Sequence, residues 1–347
     1  MDHSRAYGLY IARRLLFAVL TLIGLMALVF LMVKAIPGDE AQVAAGPEAN
    51  AVQIQAVRER LGLDAPLVMQ FVLFVGQYAR GDLGTSTSTL QPVLNDLLKV
   101  LPSTLELVIL TMSLTLLIAV PAAAIAAARR GSKVDLGARI IAVTLGGLPT
   151  FWLALMLQFV FATQLHLFPI SGQQSFEFMT TEITGMPLID ALLSGIPGAF
   201  LDASKYIILP ALALSALFVA QTFRLLRASL LGLLDLDFIR AVRAKGASPV
   251  RIMIGHALPN TFGPIITLIG IQFGLMMGSA VLVEVVFARR GLGSYLANAV
   301  SQKDTYSVLG TVFFIGALVC LVNLLVDLAH LAVDPRVRAA QFNGEKA

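Results

Sequence analysis

The stretch LLFAVLTLIGLMALVFLMV, from Leu15 to Val33, runs for 19 residues without a charged side chain. A run of this length can cross the hydrocarbon core of a bilayer, which is about 30 Å thick. The whole 347-residue chain has the same character, with 57% hydrophobic residues, 13% charged residues and a mean hydropathy of +0.83. These values lie outside the range of soluble domains. They predict an all-α, polytopic membrane protein.

Five more uncharged apolar runs are long enough to span a membrane, so six transmembrane helices are predicted. A weaker stretch, Leu188 to Leu201, contains Asp190 and is interpreted as a re-entrant or surface segment. The run Leu67 to Gly76 is too short to cross. The six predicted spans are 15–33, 107–128, 140–163, 206–223, 261–283 and 308–326.

The distribution of Lys and Arg predicts the orientation. Alternate segments, beginning with the N-terminus, carry 16 of the 25 basic residues, and five of the other nine lie in one long loop. Because positive charge accumulates in short cytoplasmic loops, both termini are predicted to be cytoplasmic. Scattered topogenic charges also explain the net charge of +4 without nucleic-acid binding. The first external loop contains Val52, Ile54, Val57 and Leu61 at helical spacing, which predicts an amphipathic helix.

The residue patterns needed for metal binding, disulfide formation and nucleotide binding do not occur in the sequence. The four histidines show no H-E-x-x-H spacing, and Cys320 is the single cysteine, so neither a metal site nor a disulfide is predicted. No G-x-x-x-x-G-K-[ST] stretch occurs, so the chain is predicted to hydrolyse no nucleotide by itself. Because its histidines are scattered and its span interiors are almost uncharged, it is also predicted to be no enzyme and to hold no cofactor. An ion-gradient-driven secondary carrier, which usually needs intramembrane carboxylates or broken helices, is the alternative.

The connection RLLRASLLGLLDLDFIRAVRAKGASPVRIMIGHALPN, from Arg224 to Asn260, is the most specific part of the chain. Its basic amphipathic segment around Phe238 to Lys245 predicts a short helix that stops at Gly246. Ser248 suits an N-cap and Pro249 suits the first helical position, so a second helix is predicted to end near Pro259. Such helices could also simply lie along the anionic inner headgroups.

Ala241, Gly246, Leu258 and Pro259 match the E-A-A-x3-G-x9-I-x-L-P pattern of ABC-transporter permeases, although Arg240, Val242 and His256 depart from it. The chain resembles, nearly end to end, the inner-membrane permeases of dipeptide and oligopeptide ABC importers. The matching stretches are RRLL (13–16), IPGD (36–39), RERLGLDAPL (58–67), GDLGTS (81–86), LPSTLEL (101–107), RAKG (243–246), GLG (291–293) and VNLLVDLAHLAVDPRVR (322–338).

The resemblance implies a fold, a function and partners. Two permeases would pair to form the pore in a bacterial cytoplasmic membrane, two cytoplasmic ATPases would hydrolyse ATP with Mg, and an external solute-binding protein would deliver di- or oligopeptides. Similar permeases carry nickel, glutathione or other small solutes, which remain alternatives. The residues expected to couple this chain to the ATPases are Ala241, Ala244, Lys245, Gly246, Ser248, Leu258 and Pro259.

The same resemblance suggests a division of the chain. Residues 1–34 would form the N-terminal tail and first span, residues 35–102 the first external loop with amphipathic helices, and residues 103–347 a permease core of five spans. The coupling loop, 224–260, belongs to that core.

Two further sets of residues are candidates for the transport pathway or for contacts with partner proteins. Glycines recur every four residues in span five, which favours close packing of helices, and this face could instead meet the partner permease or line the pathway. The residues concerned are Gly270, Gln272, Gly274, Met277 and Gly278. Near the outer end of that span, Glu284, Arg289 and Arg290 could form an external gate or contact the binding protein, or they could be a solvated interfacial patch.

Overall fold

The structure is a computed structural model that describes residues 3–35, 41–42 and 49–333, without the side chains of 3–10, 60–61 and 330–333. The IPGD motif at 36–39 and the end of the last quoted motif, 334–338, lie outside the described residues. The regular secondary structure of the described chain is helical, apart from an isolated antiparallel bridge between Thr85 and Pro92. An all-α fold was predicted and is confirmed.

The helices follow one another in this order. They are α1 (His3–Ala35), α2 (Ala51–Leu61), α3 (Leu67–Ala79), α4 (Val93–Ala128), α5 (Lys133–Gly147), α6 (Thr150–Leu157), α7 (Pro187–Leu193), α8 (Ala199–Leu234), α9 (Asp237–Ala244), α10 (Pro249–Ile252), α11 (Phe262–Val286), α12 (Leu292–Ser301) and α13 (Thr305–Val333). Gln158–Gln164 continues α6 as a π-helix, and Met253–Ala257 and Leu258–Thr261 link α10 to α11 as π- and 3₁₀-helical turns.

Five helical stretches of the described chain are long and apolar enough to span a membrane, and a bent pair can supply a sixth. The five are Ile11–Ala35, Val93–Ala128, Ala199–Leu234, Pro249–Val286 and Thr305–Ala329, and the pair is Lys133–Gly147 with Thr150–Gln164. Each predicted span overlaps one of them. Several extend beyond the predicted run because helical structure continues into more polar sequence.

The predicted span 140–163 corresponds to the helices α5 and α6, which are bent relative to each other by 103°. The break falls at Leu148 and Pro149, whose backbones are extended, with ψ angles of 129° and 133°. A proline disfavours the α-helical conformation of the residue before it and has no amide hydrogen to donate. Pro210, in contrast, lies inside the continuous helix α8.

Two compact units can be described separately. Unit 1 comprises residues 1–104 and 290–324, and unit 2 comprises residues 105–289 and 325–347. In unit 1, α2 begins with a capping box between Asn50 and Gln53 and ends at Gly62, whose φ is 63°. This confirms the helix predicted from the apolar spacing of the first long loop. Aromatic contacts join α1, α3 and α13 through Phe30, Phe74, Tyr78 and Phe313.

The core of unit 2 is an apolar cluster of small and branched side chains. Alanines of α4, among them Ala119 and Ala123, pack with Phe223 and Leu226 of α8. The cluster also includes Ala142, Met253, Ala257 and Ile265. It therefore joins α5 and α8 to the segment that links α10 to α11.

Candidate functional site

The loop after α8 begins with the short basic helix α9. Its backbone starts after Leu236, and the amides of Ile239 and Arg240 donate to the carbonyl of Leu236 at 3.1 and 3.2 Å. Ile239 is fully buried and anchors the helix, whereas Phe238, Arg240, Ala241 and Ala244 are exposed. One face of α9 is therefore held by the protein and the other is free to contact a partner.

Gly246 ends this helix in the left-handed conformation, with a φ of 84°. The amide of Gly246 donates to the carbonyl of Arg243 at 3.0 Å, and the amide of Ala247 donates to that of Val242 at 3.4 Å. This arrangement satisfies carbonyls that a helix end leaves unpaired. Apart from the adjacent residues, no described atom would lie within 4 Å of a Cβ at Gly246, so the backbone conformation, rather than space, favours glycine here.

The second helix begins as predicted. The Ser248 hydroxyl accepts a hydrogen bond from the amide of Arg251 at 3.3 Å, and Pro249 occupies the first turn. The prediction that this helix ends near Pro259 is wrong. Leu258 and Pro259 lie in a 3₁₀-helical turn that leads directly into α11, because a π-helical turn before it and the 3₁₀ geometry accommodate the missing proline amide. The loop is thus joined to α11 without an intervening coil.

Some apolar side chains of the second helix and the turn after it pack into the protein, and others are exposed on the surface. Ile252, Met253 and Ala257 are buried. Val250 and Ile254 are 67% and 63% exposed, respectively. Exposed branched side chains on a basic loop provide apolar contact area for a partner surface.

The electrostatics of the loop are those of an exposed cationic surface. Arg240 pairs with Asp237 at 3.1 Å, and both side chains are largely exposed, so this ion pair contributes little to stability. The remaining basic side chains on this surface are those of Arg243, Lys245 and Arg251, all of which are exposed. Such a surface attracts an acidic protein or anionic headgroups.

The candidate residues on α11 differ in burial. Gln272 is buried, and its amide donates to the Thr222 hydroxyl at 3.0 Å; Met277 is also buried. These two side chains therefore face the interior of the chain, which does not favour the predicted role in a pathway or partner interface. Of the glycines, Gly270 is buried, Gly274 is half-buried and Gly278 is exposed.

The candidate residues at and beyond the end of α11 also differ in burial. Glu284 and Arg289 are each 1% exposed, whereas Arg290 is exposed. Arg289 lies 3.6 Å from Glu106 of α4, whose carboxylate accepts a hydrogen bond from the amide of Leu188 at 2.7 Å. Burial lowers the pKa of Arg289 and the charges of Glu106 and Glu284 oppose that shift. A direct contact with a soluble binding protein is therefore compatible with Arg290 but not with the two buried side chains.

The sequence did not predict the ion pair between α5 and α8. Asp135 of α5 binds Arg227 of α8 through two short contacts, at 2.6 and 2.7 Å. An acidic residue at the start of one apolar helix and an arginine near the end of another are a usable signal, since charges in such places are seldom left unpaired. Their pairing is a tertiary contact that spacing alone does not reveal.

Metal ligation is not indicated within the ranges that the structure describes. No group of three or more His, Cys, Asp or Glu side chains in those ranges could hold a metal ion.

These features define a class: a polytopic all-α membrane protein with an exposed two-helix loop joined directly to a span. Profile comparison identifies the particular family. Residues 119–339 match the family of binding-protein-dependent transport system inner membrane components, and residues 9–108 match its N-terminal region. The chain belongs to this family and is an inner-membrane protein.

Curated relatives match along nearly the whole chain. The di/tripeptide transport system permease protein DppB of Pseudomonas aeruginosa (strain UCBPP-PA14) is 37% identical over 330 residues, covering 95% of this chain and 98% of that protein. The dipeptide transport system permease protein DppB of Escherichia coli (strain K12) is 36% identical over 333 residues, with 95% and 98% covered. A solved structure of the MetNI methionine ABC transporter aligns with 69% of this chain and 94% of its own, at 16% identity and a TM-score of 0.48.

Proposed function

We propose that this chain is the permease subunit that forms half of the translocation pore of an ATP-driven importer of di- or oligopeptides. The observation that carries the proposal is the exposed helix, glycine turn and helix at Asp237–Ile252, built within a chain about as long as its dipeptide-permease relatives. The relatives supply the substrate class. The loop supplies the means of coupling.

The loop works as a rigid projection that fits a socket on a cytoplasmic ATPase. The exposed side chains of Ala241, Ala244, Lys245 and Ser248 form its contact surface, together with Val250. Its second helix leads through the turns at Leu258 and Pro259 into α11 without a flexible linker. A displacement of the loop by closure of the ATPases therefore moves the inner end of α11.

The proposal includes the partners of the complex. Two ATPases bind and hydrolyse ATP with Mg, while this chain carries no nucleotide site or cofactor and is no enzyme. A second, homologous permease completes the pore, and an external solute-binding protein delivers the peptide. Membrane lipid surrounds the spans, and nucleic acid is not a partner.

The proposal also includes contact surfaces for two of these partners. Gly274 and Gly278 lie towards the accessible side of α11, and apart from the adjacent residues and the backbone of α11 itself no described atom lies within 4 Å of a Cβ built at Gly278. This side of α11 is proposed to meet the second permease. Arg290 is proposed to contact the binding protein, and both termini are proposed to lie in the cytoplasm.

The division of the chain at residues 34 and 102 is retained as part of the proposal. In this division the first long loop acts outside the membrane and residues 103–347 act as the transport core.

Reconstitution tests the proposal directly. Vesicles that contain this chain, its copurifying permease and its ATPases should take up a radiolabelled dipeptide when the binding protein is outside and ATP is inside. Vesicles with this chain alone should take up none. Uptake by this chain alone, driven by an ion gradient without ATP, would contradict the proposal in favour of a secondary carrier. Binding of nickel or glutathione, but no peptide, by the copurified binding protein would contradict the substrate class.

A further inference from the structure

Two ion pairs join the start of α5 and the turn before it to the last part of α8 and the residue that follows it. Arg227 donates from Nε and Nη2 to the two carboxylate oxygens of Asp135, over 2.6 and 2.7 Å. Arg130 and Asp235 form the second pair at 3.3 Å, with both side chains mostly exposed. The first pair is largely buried and the second is solvated. The first is therefore the stronger of the two ion pairs between these segments.

The Asp135 carboxylate is held from its own segment as well as from Arg227. Oδ2 accepts a hydrogen bond from the amide of Gly131 at 3.1 Å, and the Ser132 hydroxyl caps α5 by accepting from the amide of Asp135 at 3.3 Å. Arg139 lies 3.9 Å from the same carboxylate. These donors offset the cost of burying the charge and fix the direction in which the carboxylate faces α8.

Arg227 lies close, along the chain, to the two exposed helices of the coupling loop, α9 and α10. From this residue α8 continues unbroken to Leu234, a distance of about 10 Å at 1.5 Å per residue, and α9 begins at Asp237. Beside the pair, Leu226 and Leu230 belong to the apolar cluster that also contains Ala142 of α5 and Met253 beyond α10. The ion pair and this cluster together hold α5 against the end of α8, which precedes the two exposed helices, and against the turn that follows them.

We propose that Asp135 and Arg227 are positioning residues that make the coupling loop and the bent pair α5–α6 move as one body. A bidentate arginine–carboxylate pair fixes both distance and direction, which apolar contacts alone do not do as well. Movement imposed on the loop is then delivered to the bent helix pair as well as to α11. This inference rests on the proposed function, since it assumes that ATPases move the loop.

The test uses the reconstituted complete importer and the ratio of peptide transported to ATP hydrolysed. Asp135→Asn and Arg227→Lys should each lower this ratio by about 2- to 30-fold, the range in which mutations along a coupling network act, while the amount of assembled importer remains close to wild type. The exchange Asp135→Arg with Arg227→Asp should restore part of the ratio. Arg130→Gln, which breaks the solvated pair between the same segments, is the matched control and should leave the ratio unchanged.

A distance measurement separates positioning from a merely structural role. Spin labels at Lys133→Cys and Leu236→Cys, with Cys320 replaced, should give a narrow distance distribution in the otherwise unaltered full chain and a broad one with Arg227→Lys. An unchanged ratio and distribution would overturn the proposal. So would failure of the Arg227→Lys chain to fold, since the pair would then serve folding. If these variants are inert while Gly246→Val uncouples transport, only this inference fails; if Gly246→Val is inert as well, the proposed function of the loop fails too.

Discussion

The Ser86 hydroxyl donates a hydrogen bond of 2.6 Å to the carboxylate of Asp304, although the two residues are 218 positions apart in the chain. Both side chains are buried. The same carboxylate accepts from the Ser307 hydroxyl at 2.9 Å, and the Ser307 amide donates to its other oxygen at 3.2 Å. The loop that contains the GDLGTS motif, 81–86, is thus tied to the start of α13.

This network makes the stability of unit 1 sensitive to acid. Burial raises the pKa of Asp304, but hydrogen bonds from Ser86, Ser307 and the Ser88 amide more than offset it, so its net pKa is lowered. The ionised carboxylate therefore adds stability above the unfolded-state pKa of about 4. That contribution is lost as the pH falls through the lower folded-state pKa.

Replacement of the carboxylate tests this account. Asp304→Asn should lower the free energy of unfolding at pH 7 by about 1–3 kcal/mol, because an amide is a weaker acceptor for several buried donors. The difference in melting temperature between the variant and wild type should shrink as the pH is lowered below about 4. Thermal unfolding of the detergent-solubilised chain from pH 3 to pH 7 measures both effects.

Asp64 offers a matched control for this experiment, because its side chain is 72% exposed. Asp64→Asn should leave the melting temperature almost unchanged at every pH. Equal melting temperatures of Asp304→Asn and wild type at pH 7 would show that the buried network does not stabilise the fold.

The predicted orientation can be tested with single cysteines on a background in which Cys320 is replaced. Phe176 is 94% exposed and suits labelling of the second external loop better than Ser175, whose hydroxyl oxygen is buried. Phe176→Cys should react with an impermeant thiol reagent in intact cells. Lys133→Cys and Val250→Cys should react only after the membrane is opened. Labelling of Val250→Cys in intact cells would reverse the topology.

The exposed glycines of α11 predict an effect on assembly. Gly278→Leu should leave the folding of this chain nearly unaffected, because no described atom occupies the space around its Cβ, and should lower copurification of the second permease several-fold. A bulky side chain holds apart two helices that pack closely in lipid. Pull-down of the two permeases from detergent extracts measures this loss.

Leu275→Ala is the matched control for the glycine experiment. Leu275 is 51% exposed and lies about 100° from Gly274 and about 60° from Gly278 on the helix. Its truncation removes contact area without holding two helices apart, so it should affect assembly less. Wild-type copurification with both Gly278→Leu and Gly274→Leu would mean that this side of α11 faces lipid or solvent.

Local sequence signals account for much of the structure. The apolar runs identify the spans because bilayer thickness sets their length, and the Gly246, Ser248 and Pro249 signals place both ends of the loop's turn. These are short-range effects in which a residue's own backbone preference decides the outcome. The α-helix around Pro210 and the break at Pro149 show the limit of such signals, since the same residue type leads to different outcomes in different surroundings.

Long-range contacts are the part that the sequence does not reveal. The burial of Gln272 and Arg289 depends on partners in other helices, namely Thr222 for the glutamine and Glu106 for the arginine. A polar side chain at the end of an apolar run can face solvent or a buried partner. The hydrophobic pattern of the sequence is the same in both cases. The pair of Asp135 with Arg227 is hidden from sequence analysis for the same reason.

The most direct test of the coupling account is binding-protein-stimulated ATP hydrolysis and peptide uptake by the reconstituted importer that carries Gly246→Val. A Cβ at this position meets no described atom beyond the adjacent residues, but the substitution forces a β-branched residue to a φ of 84°, at a cost of about 1–3 kcal/mol. We predict a normal amount of assembled complex, with uptake and stimulated hydrolysis both lowered about tenfold, the change that about 1.4 kcal/mol produces. Gly232→Ala, at an exposed position inside α8, should leave both rates unchanged. Wild-type uptake and hydrolysis with Gly246→Val would contradict the claim that this loop transmits the work of the ATPases.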